Sequence, residues 1–253
     1  MLKVVLARLQ QKHRTMKYPD APPPQLPDRF RGRPVIDTAK CAENCTKCAE
    51  ICPVGALKIE KEKSVDLGKC LFCTDCVDAC PNSAVSQSAD YRLSISKREE
   101  LIVDACNKEQ VLAVELNKKI KSLFGRSLKL RQVSAGGCNA CEADVNVLNT
   151  VGWDLGRFGI QFVASPRHAD GVLITGPVSK NMKLALKKTF DATPDPKIVI
   201  AVGSCAISGG TFAGHDEVCN GAGDLLPVDL YIPGCPPHPL TILNGLLQLI
   251  GRI

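Results

Sequence analysis

Aromatic side chains are scarce in this 253-residue chain, which has seven Phe, three Tyr and one Trp. Proteins that bind single-stranded nucleic acid stack bases on aromatic platforms. The net charge of +6 is not gathered into any run of about five or more Lys and Arg. Nucleic-acid binding is therefore not expected. Also missing is any apolar run of about 18 residues, so no bilayer-spanning helix is expected. In the opening MLKVVLARLQQKHR the apolar run is broken by Lys3 and Arg8, and no small-residue cleavage site follows. A secretory signal is not expected either.

Cysteine is what the chain has, with fourteen residues. Their share is below that of a small disulfide scaffold, and at this length burial alone supports a core without staples. In a reducing compartment, clustered thiols hold metal more often than they pair. Eight of them fall between Cys41 and Cys80, Cys106 stands alone, and five lie between Cys138 and Cys235. Two modules are implied.

Residues 1–38 form a basic arm containing the proline-rich stretch YPDAPPPQLPD, expected to be extended and packed on a surface. Its start reads as an amphipathic helix, with Leu2, Val5, Leu6, Leu9 and Met16 on one face and Lys3, Arg8, Lys12 and Arg14 around the rest. Such a helix either meets a membrane surface or a partner, or covers its own domain. Within residues 39–92 the phrases AEICPVGAL and VDACPNSAV repeat 28 residues apart. Short strands at Leu57 to Glu60 and Ser64 to Leu67 are expected as a hairpin between the copies. Residues 93–127 read as a helical connector on the spacing of Leu101, Ala105, Leu112, Leu116, Ile120 and Leu123.

From 128 to 253 strand-like and helix-like segments alternate. Strands are expected at Leu128 to Val133, Ile160 to Val163, Val172 to Thr175, Ile198 to Val202 and Val228 to Ile232. Helices are expected at Glu142 to Thr150, Lys180 to Thr189 and Leu240 to Ile250. Continuous apolar strands separated by helices predict a parallel, doubly wound sheet, whose ligands bind where loops leave the carboxyl ends of the strands.

CAENCTKCAEICP supplies Cys41, Cys45, Cys48 and Cys52; CLFCTDCVDACP supplies Cys70, Cys73, Cys76 and Cys80. The second is C-x2-C-x2-C-x3-C-P, in which three close thiolates wrap one cubane and the fourth reaches the other cluster. Cys41, Cys45, Cys48 and Cys80 are therefore expected on one 4Fe-4S cluster, and Cys70, Cys73, Cys76 and Cys52 on a second. Two zinc sites are the competing reading, but zinc gives no reason for the repeated C-P or the third close cysteine. Over about fifty residues the segment resembles the bacterial-type two-cluster ferredoxins. It departs from them at Cys41 to Cys45, which is C-x3-C where that family has C-x2-C.

The later cysteines occur in GGCNACEAD, VGSCAISGG and YIPGCPPHP. A C-x2-C pair on one strand-to-helix loop, with single cysteines on two later loops, suits one more cluster, and the glycine-rich backbone supplies amides for its sulfurs. With SPRHAD at 165–170 and PVDLYIPGCPP, these motifs resemble the small subunit of NiFe hydrogenases and the 20 kDa subunit of respiratory complex I. The resemblance implies that Cys138, Cys141, Cys205 and Cys235 hold the proximal 4Fe-4S cluster. Complex I subunits carry tandem cysteines at the first position, whereas Cys138-Asn-Ala-Cys141 has the hydrogenase form. SPRHAD and the short length look most like the membrane-bound group 4 hydrogenases, including formate hydrogenlyase. The first module, with FRGRP ahead of its cysteines, resembles that complex's ferredoxin-like subunit, so the chain resembles a fusion of two subunits.

The expected fold class is an α+β ferredoxin-like two-cluster domain followed by an α/β doubly wound, flavodoxin-like parallel-sheet domain. By the resemblance, the chain is a non-catalytic electron-transfer subunit with three 4Fe-4S clusters. Its partners would be a NiFe large catalytic subunit, membrane subunits, and further ferredoxin-type subunits or a soluble donor. It would sit on the cytoplasmic side, attached peripherally through those partners. A complex I-like quinone reductase and a stand-alone polyferredoxin are the alternatives. Cys106 and Cys219 read as packed thiols and His168 and His238 as structural residues. Arg167 and Glu142 are candidates to orient the third cluster or a partner.

Overall fold

A computed structural model describes residues 2–12, 14–60, 63–106 and 127–253. After helix α1 (Leu2–Gln11), the first module is built from short pieces around two one-turn helices, α2 (Lys47–Glu50) and α3 (Asp75–Asp78). Strand β1 (Pro34–Ile36) pairs antiparallel with β4 (Val85–Gln87). Strands β2 (Leu57–Ile59) and β3 (Lys63–Asp66) form the hairpin between the two sequence copies, with Leu57 opposite Val65.

A third strand, β5 (Ile102–Asp104), adds to this hairpin with Val103 opposite Val65. It overturns the helical reading of the connector at Ile102–Asp104, where only the 3-10 turn Glu99–Leu101 precedes the strand; the remainder, 107–126, lies outside the described residues. Leu101, Val103 and Ala105 are all buried while Ile102 is 53% exposed, which is the period-two pattern of a half-buried strand. The spacing of Leu101 and Ala105 fits that period as well as a helical turn, and the β-branched pair Ile102-Val103 favours the strand.

The second module is a five-stranded sheet, all parallel, in the order β10-β9-β8-β6-β7. Its strands are β6 (Leu128–Ser134), β7 (Ile160–Phe162), β8 (Gly171–Thr175), β9 (Ile198–Val202) and β10 (Leu230–Ile232). Counted within the module this is 2-1-3-4-5, the flavodoxin-like order, which reverses direction between its first and third strands. Every residue of β8 and β9 is buried, as expected for central parallel strands covered on both faces. The covering helices are α4 (Ala140–Val147), α5 (Lys180–Ala192), α6 (Ser204–Ser208) and α7 (Pro239–Leu249). Helix α4 starts two residues before the expected Glu142, so Cys141 stands in its first turn.

One apolar core joins the two modules, because Val65, Leu67, Phe72, Leu101 and Val103 pack in the same cluster as Ala201, Ala206, Ile207 and Tyr231. Ile95 extends the sheet edge, exchanging backbone hydrogen bonds of 3.0 and 2.8 Å with Tyr231. The arm is rooted on the second module at Tyr18, whose hydroxyl accepts a 2.8 Å bond from the Asn244 amide. Met16 does not share the face of α1 as its spacing suggested. The helix ends at Gln11, Lys12 turns the chain at φ 54°, and Met16 packs on the core of the second module.

Candidate metal centres

Cys41, Cys45, Cys48 and Cys80 line one recess, together with Lys47, Pro81 and Asn82. Cys52, Cys70, Cys73 and Cys76 line another, with Pro53 and Phe72. Cys52 of the first motif thus lines the recess of the second, and Cys80 of the second motif lines that of the first.

Local backbone chemistry repeats at both recesses. The amides of Cys41 and Cys70 bond to the carbonyls of Asp37 and Asp66 at 3.0 and 2.9 Å. The carboxylates of the same two aspartates accept from Ala39 and Gly68 at 3.0 and 2.9 Å. Farther on, the amides of Ala56 and Ala84 each donate to the sulfur four residues earlier, Cys52 and Cys80, at 3.2 Å. The repeat therefore extends upstream to IDTAKC and VDLGKC, a match that reading outward from the C-P phrases misses. It also locates the insertion in C-x3-C: Cys41 keeps the same anchorage as Cys70, and the extra residue falls in the following loop, where Asn44 takes φ 58°. Asn tolerates that left-handed conformation better than most residues.

The third set comes from loops at the carboxyl ends of β6, β9 and β10. Cys138 and Cys141 follow β6, Cys205 opens α6, and Cys235 follows β10. The amides of Gly203 and Ser204 bond to the carbonyls of Ile232 and Gly234 at 2.8 Å each, which ties the Cys205 loop to the Cys235 loop. Two glycines let backbone close on the sulfurs. A Cβ at Gly203 would lie 2.5 Å from the Cys141 sulfur, and one at Gly210 would lie 2.6 Å from the Cys205 sulfur. Cys138 and Cys235 are exposed, so the set opens at the surface.

Burial pushes the Cys70 and Cys76 thiols up to about 12 and the Cys205 thiol up to about 11. Cys141 is also displaced upward, first by burial and then by facing Cys205, Glu142, Cys235 and Cys138. At Cys80 burial acts upward too, but the amides of Ala84, Val85, Asn82 and Ser83 outweigh it and the net shift is downward. Crowded, desolvated thiols carry a proton when alone and give it up to a metal, so loading such a site releases protons. Among the described residues no three or more His, Cys, Asp or Glu side chains close on a single-ion point. In the first two sets the thiols stand around a recess, edged by amides that donate to sulfur, and this donor set fits a 4Fe-4S cubane.

The three sets are adjacent in series. Cys76, in the second, is pushed up by burial and then by Cys73 and by Cys48 of the first. Cys235, in the third, is pushed up by burial, then by Cys138 and by Cys73 of the second. The Ser204 hydroxyl donates to the Cys70 carbonyl at 2.6 Å, and the Ser208 hydroxyl donates to that of Gly68 at 2.8 Å. Neither serine stands out in the sequence, because nothing local marks a hydroxyl that reaches the other module.

Other candidates settle differently. Glu142 is buried at 6% exposure, and its carboxylate accepts a 2.6 Å bond from the Thr175 hydroxyl, tying α4 to β8 where the strand order reverses. Burial would raise its pKa, but bonds from Ser134 and Thr175 hold it below the usual value. Arg167 and His168 lie in the 3-10 turn Pro166–His168 leading into β8, at the amino end of the sheet and away from the cysteine loops. The neighbouring Asp170 accepts from the Lys129 amide at 2.7 Å, so SPRHAD fastens the start of the sheet. His238 caps α7, its Nδ1 accepting from the Leu240 amide at 3.1 Å. Cys219 packs against the cluster around Val178 and Leu186, and Cys106 lines neither recess.

Two adjoining modules, one with paired ferredoxin-type thiol sets and one with a thiol set at the carboxyl ends of a flavodoxin-like sheet, define an iron–sulfur electron-transfer protein. The match to known families agrees. Residues 33–81 match the 4Fe-4S dicluster domain, and residues 138–249 match the 20 kDa subunit of NADH ubiquinone oxidoreductase. A probable membrane-bound hydrogenase subunit of Pyrococcus furiosus is 39% identical over 141 residues, covering 54% of this chain and 84% of that protein. Formate hydrogenlyase subunit 7 of Escherichia coli is 43% identical over 144 residues, covering 56% and 54% respectively. An NADH-quinone oxidoreductase subunit of Bacteroides thetaiotaomicron is 43% identical over 132 residues, covering 51% and 66%. The chain spans about half of the Escherichia coli protein and most of the Pyrococcus one. It belongs to the family of the complex I 20 kDa subunit and hydrogenase small subunit, and carries an N-terminal 4Fe-4S dicluster domain.

Proposed function

We propose that this chain is the electron-transfer subunit of a membrane-bound NiFe hydrogenase complex. In this reading Cys41, Cys45, Cys48 and Cys80 hold one 4Fe-4S cluster, and Cys70, Cys73, Cys76 and Cys52 hold a second. Cys138, Cys141, Cys205 and Cys235 hold a third. Bound there, the clusters would accept and pass on single electrons. The observation that carries the reading is the serial adjacency of the three thiol sets, in which Cys48 raises Cys76, Cys73 raises Cys235, and the Ser204 hydroxyl beside Cys205 donates to the Cys70 carbonyl.

The chain's own residues supply position and environment. The backbone amides of Ala56 and Ala84 donate to the sulfurs of Cys52 and Cys80, a bond type that raises cluster potential. The Glu142–Thr175 bond fixes the first turn of α4, and with it Cys141. The exposed edge at Cys138 and Cys235 is where a large catalytic subunit carrying the NiFe site would dock, and membrane subunits would hold the complex on the cytoplasmic side. A ferredoxin-type subunit or soluble donor would exchange electrons at the first recess.

The separated pair Cys138-Asn-Ala-Cys141 favours hydrogenase over the second reading, a complex I-like subunit delivering electrons to quinone. To test this, the complex is purified anaerobically through a tag on this chain and assayed for dihydrogen production and for quinone reduction. Dihydrogen production that is lost in Cys138→Ala, with the ferredoxin-type spectra intact, is expected. Quinone reduction without dihydrogen production would overturn the hydrogenase reading. Iron content should be about twelve atoms per chain, falling in Cys41→Ala and unchanged in Cys106→Ala.

A further inference from the structure

Helix α1 is the one α-helix of the described residues that buries none of its side chains. Along one face Leu2, Val5, Leu6 and Leu9 are 75, 54, 48 and 69% exposed. A ten-residue helix is marginal on its own, and surface helices normally gain their stability by packing an apolar stripe on a core. This stripe has no core beneath it. Its charge is one-sided as well: Lys3, Arg8, Lys12, Arg14 and Lys17 precede the first acidic residue, Asp20.

We infer that α1 docks on an anionic lipid surface. Cations flanking an apolar row, with no acidic group, are what a helix lying in the interface of anionic lipids requires. A groove on another protein is a poorer fit, because protein interfaces are depleted in Lys and anchored by aromatic side chains, and α1 has no aromatic residue. From Thr15 onward the chain is tied to the second module, so docking would hold that module near the lipid surface. The Met16 amide bonds to the Gly152 carbonyl and the Thr15 hydroxyl to that of Val151, both at 2.9 Å. The Arg157 guanidinium grips the Tyr18 carbonyl at 2.7 Å. Val151, in the loop at this root, is itself 71% exposed and adds an apolar side chain beside the tether. This contact is separate from any attachment through partner subunits.

The full-length, cluster-loaded chain is sedimented with vesicles of phosphatidylglycerol and phosphatidylcholine and with vesicles of phosphatidylcholine alone. Binding to the anionic vesicles, weakened by salt, is expected. It should fall to the neutral-vesicle level in Leu6→Glu/Leu9→Glu and in Lys3→Glu/Arg8→Glu, with iron content and visible spectrum unchanged in both. Lys187→Glu/Lys188→Glu, on the exposed basic face of α5, should bind as the parent does. Failure to bind anionic vesicles would overturn the inference. So would binding indifferent to the α1 changes, or loss only in the α5 variant. A partner protein retained through α1 without any vesicle binding would assign the helix to protein docking instead.

Discussion

Ser204 and Cys70 are joined across the two modules by a 2.6 Å hydrogen bond from the serine hydroxyl to the cysteine carbonyl. Ser204 is covalently next to Cys205. One hydrogen bond therefore connects a cysteine of the second thiol set to a cysteine of the third through a short run of bonds. Ser208, one turn later, makes a similar bond to Gly68, which is not a cysteine, so it helps dock the modules without lying between the sets. Ser204→Ala should slow electron transfer between the second and third clusters several-fold, measured by rapid-freeze spectroscopy after partial reduction, while Ser208→Ala leaves the rate near the parent's. Equal rates in parent and Ser204→Ala would show that the bond only docks.

Gly203 has φ 89° and sits where a Cβ would come 2.5 Å from the Cys141 sulfur. Ala there is opposed both by the backbone conformation and by the clash with a cysteine of the third set. Gly203→Ala should lose the third cluster alone, with iron falling from about twelve to about eight atoms per chain. Loss of the two ferredoxin-type signals as well would mean that the modules do not assemble their clusters independently.

Thr175 donates to the buried carboxylate of Glu142. Thr175→Val keeps the shape but leaves that carboxylate short of a partner, at a cost of about 1–3 kcal/mol. The folded-state pKa of Glu142 is held below its ordinary 4.5. Its stabilisation is therefore present above that pH and lost as pH falls through the folded value. Chemical denaturation at neutral pH should show the variant less stable than the parent, with the gap closing on acidification. A gap that widened at low pH would contradict this assignment.

His238 gives the pH dependence with a different origin. Burial lowers its pKa from the ordinary 6.5, and its neutral Nδ1 must accept the Leu240 amide to cap α7. The unfolded chain takes up the proton first, so stability falls as pH drops below about 6.5 toward the folded value. Asn caps a helix without titrating there. In His238→Asn, hydrogen exchange of the first-turn amides of α7 should lose this acid-induced acceleration when compared with the parent at each pH. A parent and variant that respond alike would place the acid sensitivity elsewhere.

Much of this arrangement is legible in the residues. The C-x2-C-x2-C-x3-C-P run, with its displaced fourth cysteine, predicts that Cys52 and Cys80 exchange places. The continuous apolar runs at Val172 and Ile198 predict central parallel strands, since burial on both faces leaves no polar alternation. The connector is less legible because Leu101 and Ala105 are four apart, a spacing that helix and strand share. Only pairing with Val65 shows that Val103 belongs between them. SPRHAD stands out as a motif, yet sheet polarity puts it at the end opposite the cysteines, and polarity is a property of the assembled strands.

The sequence by itself marked two C-P cysteine motifs, each with a displaced fourth cysteine, and the flavodoxin-like class of the second module. These follow from spacing and hydropathy along the chain, where ligand chemistry and backbone period leave local marks. Tertiary structure alone decided that the sets stand in series, that Ser204 reaches Cys70, and that α1 is left with an uncovered apolar face. Each of those depends on how two modules far apart in sequence share one core, and contact across such a distance leaves no local pattern to read.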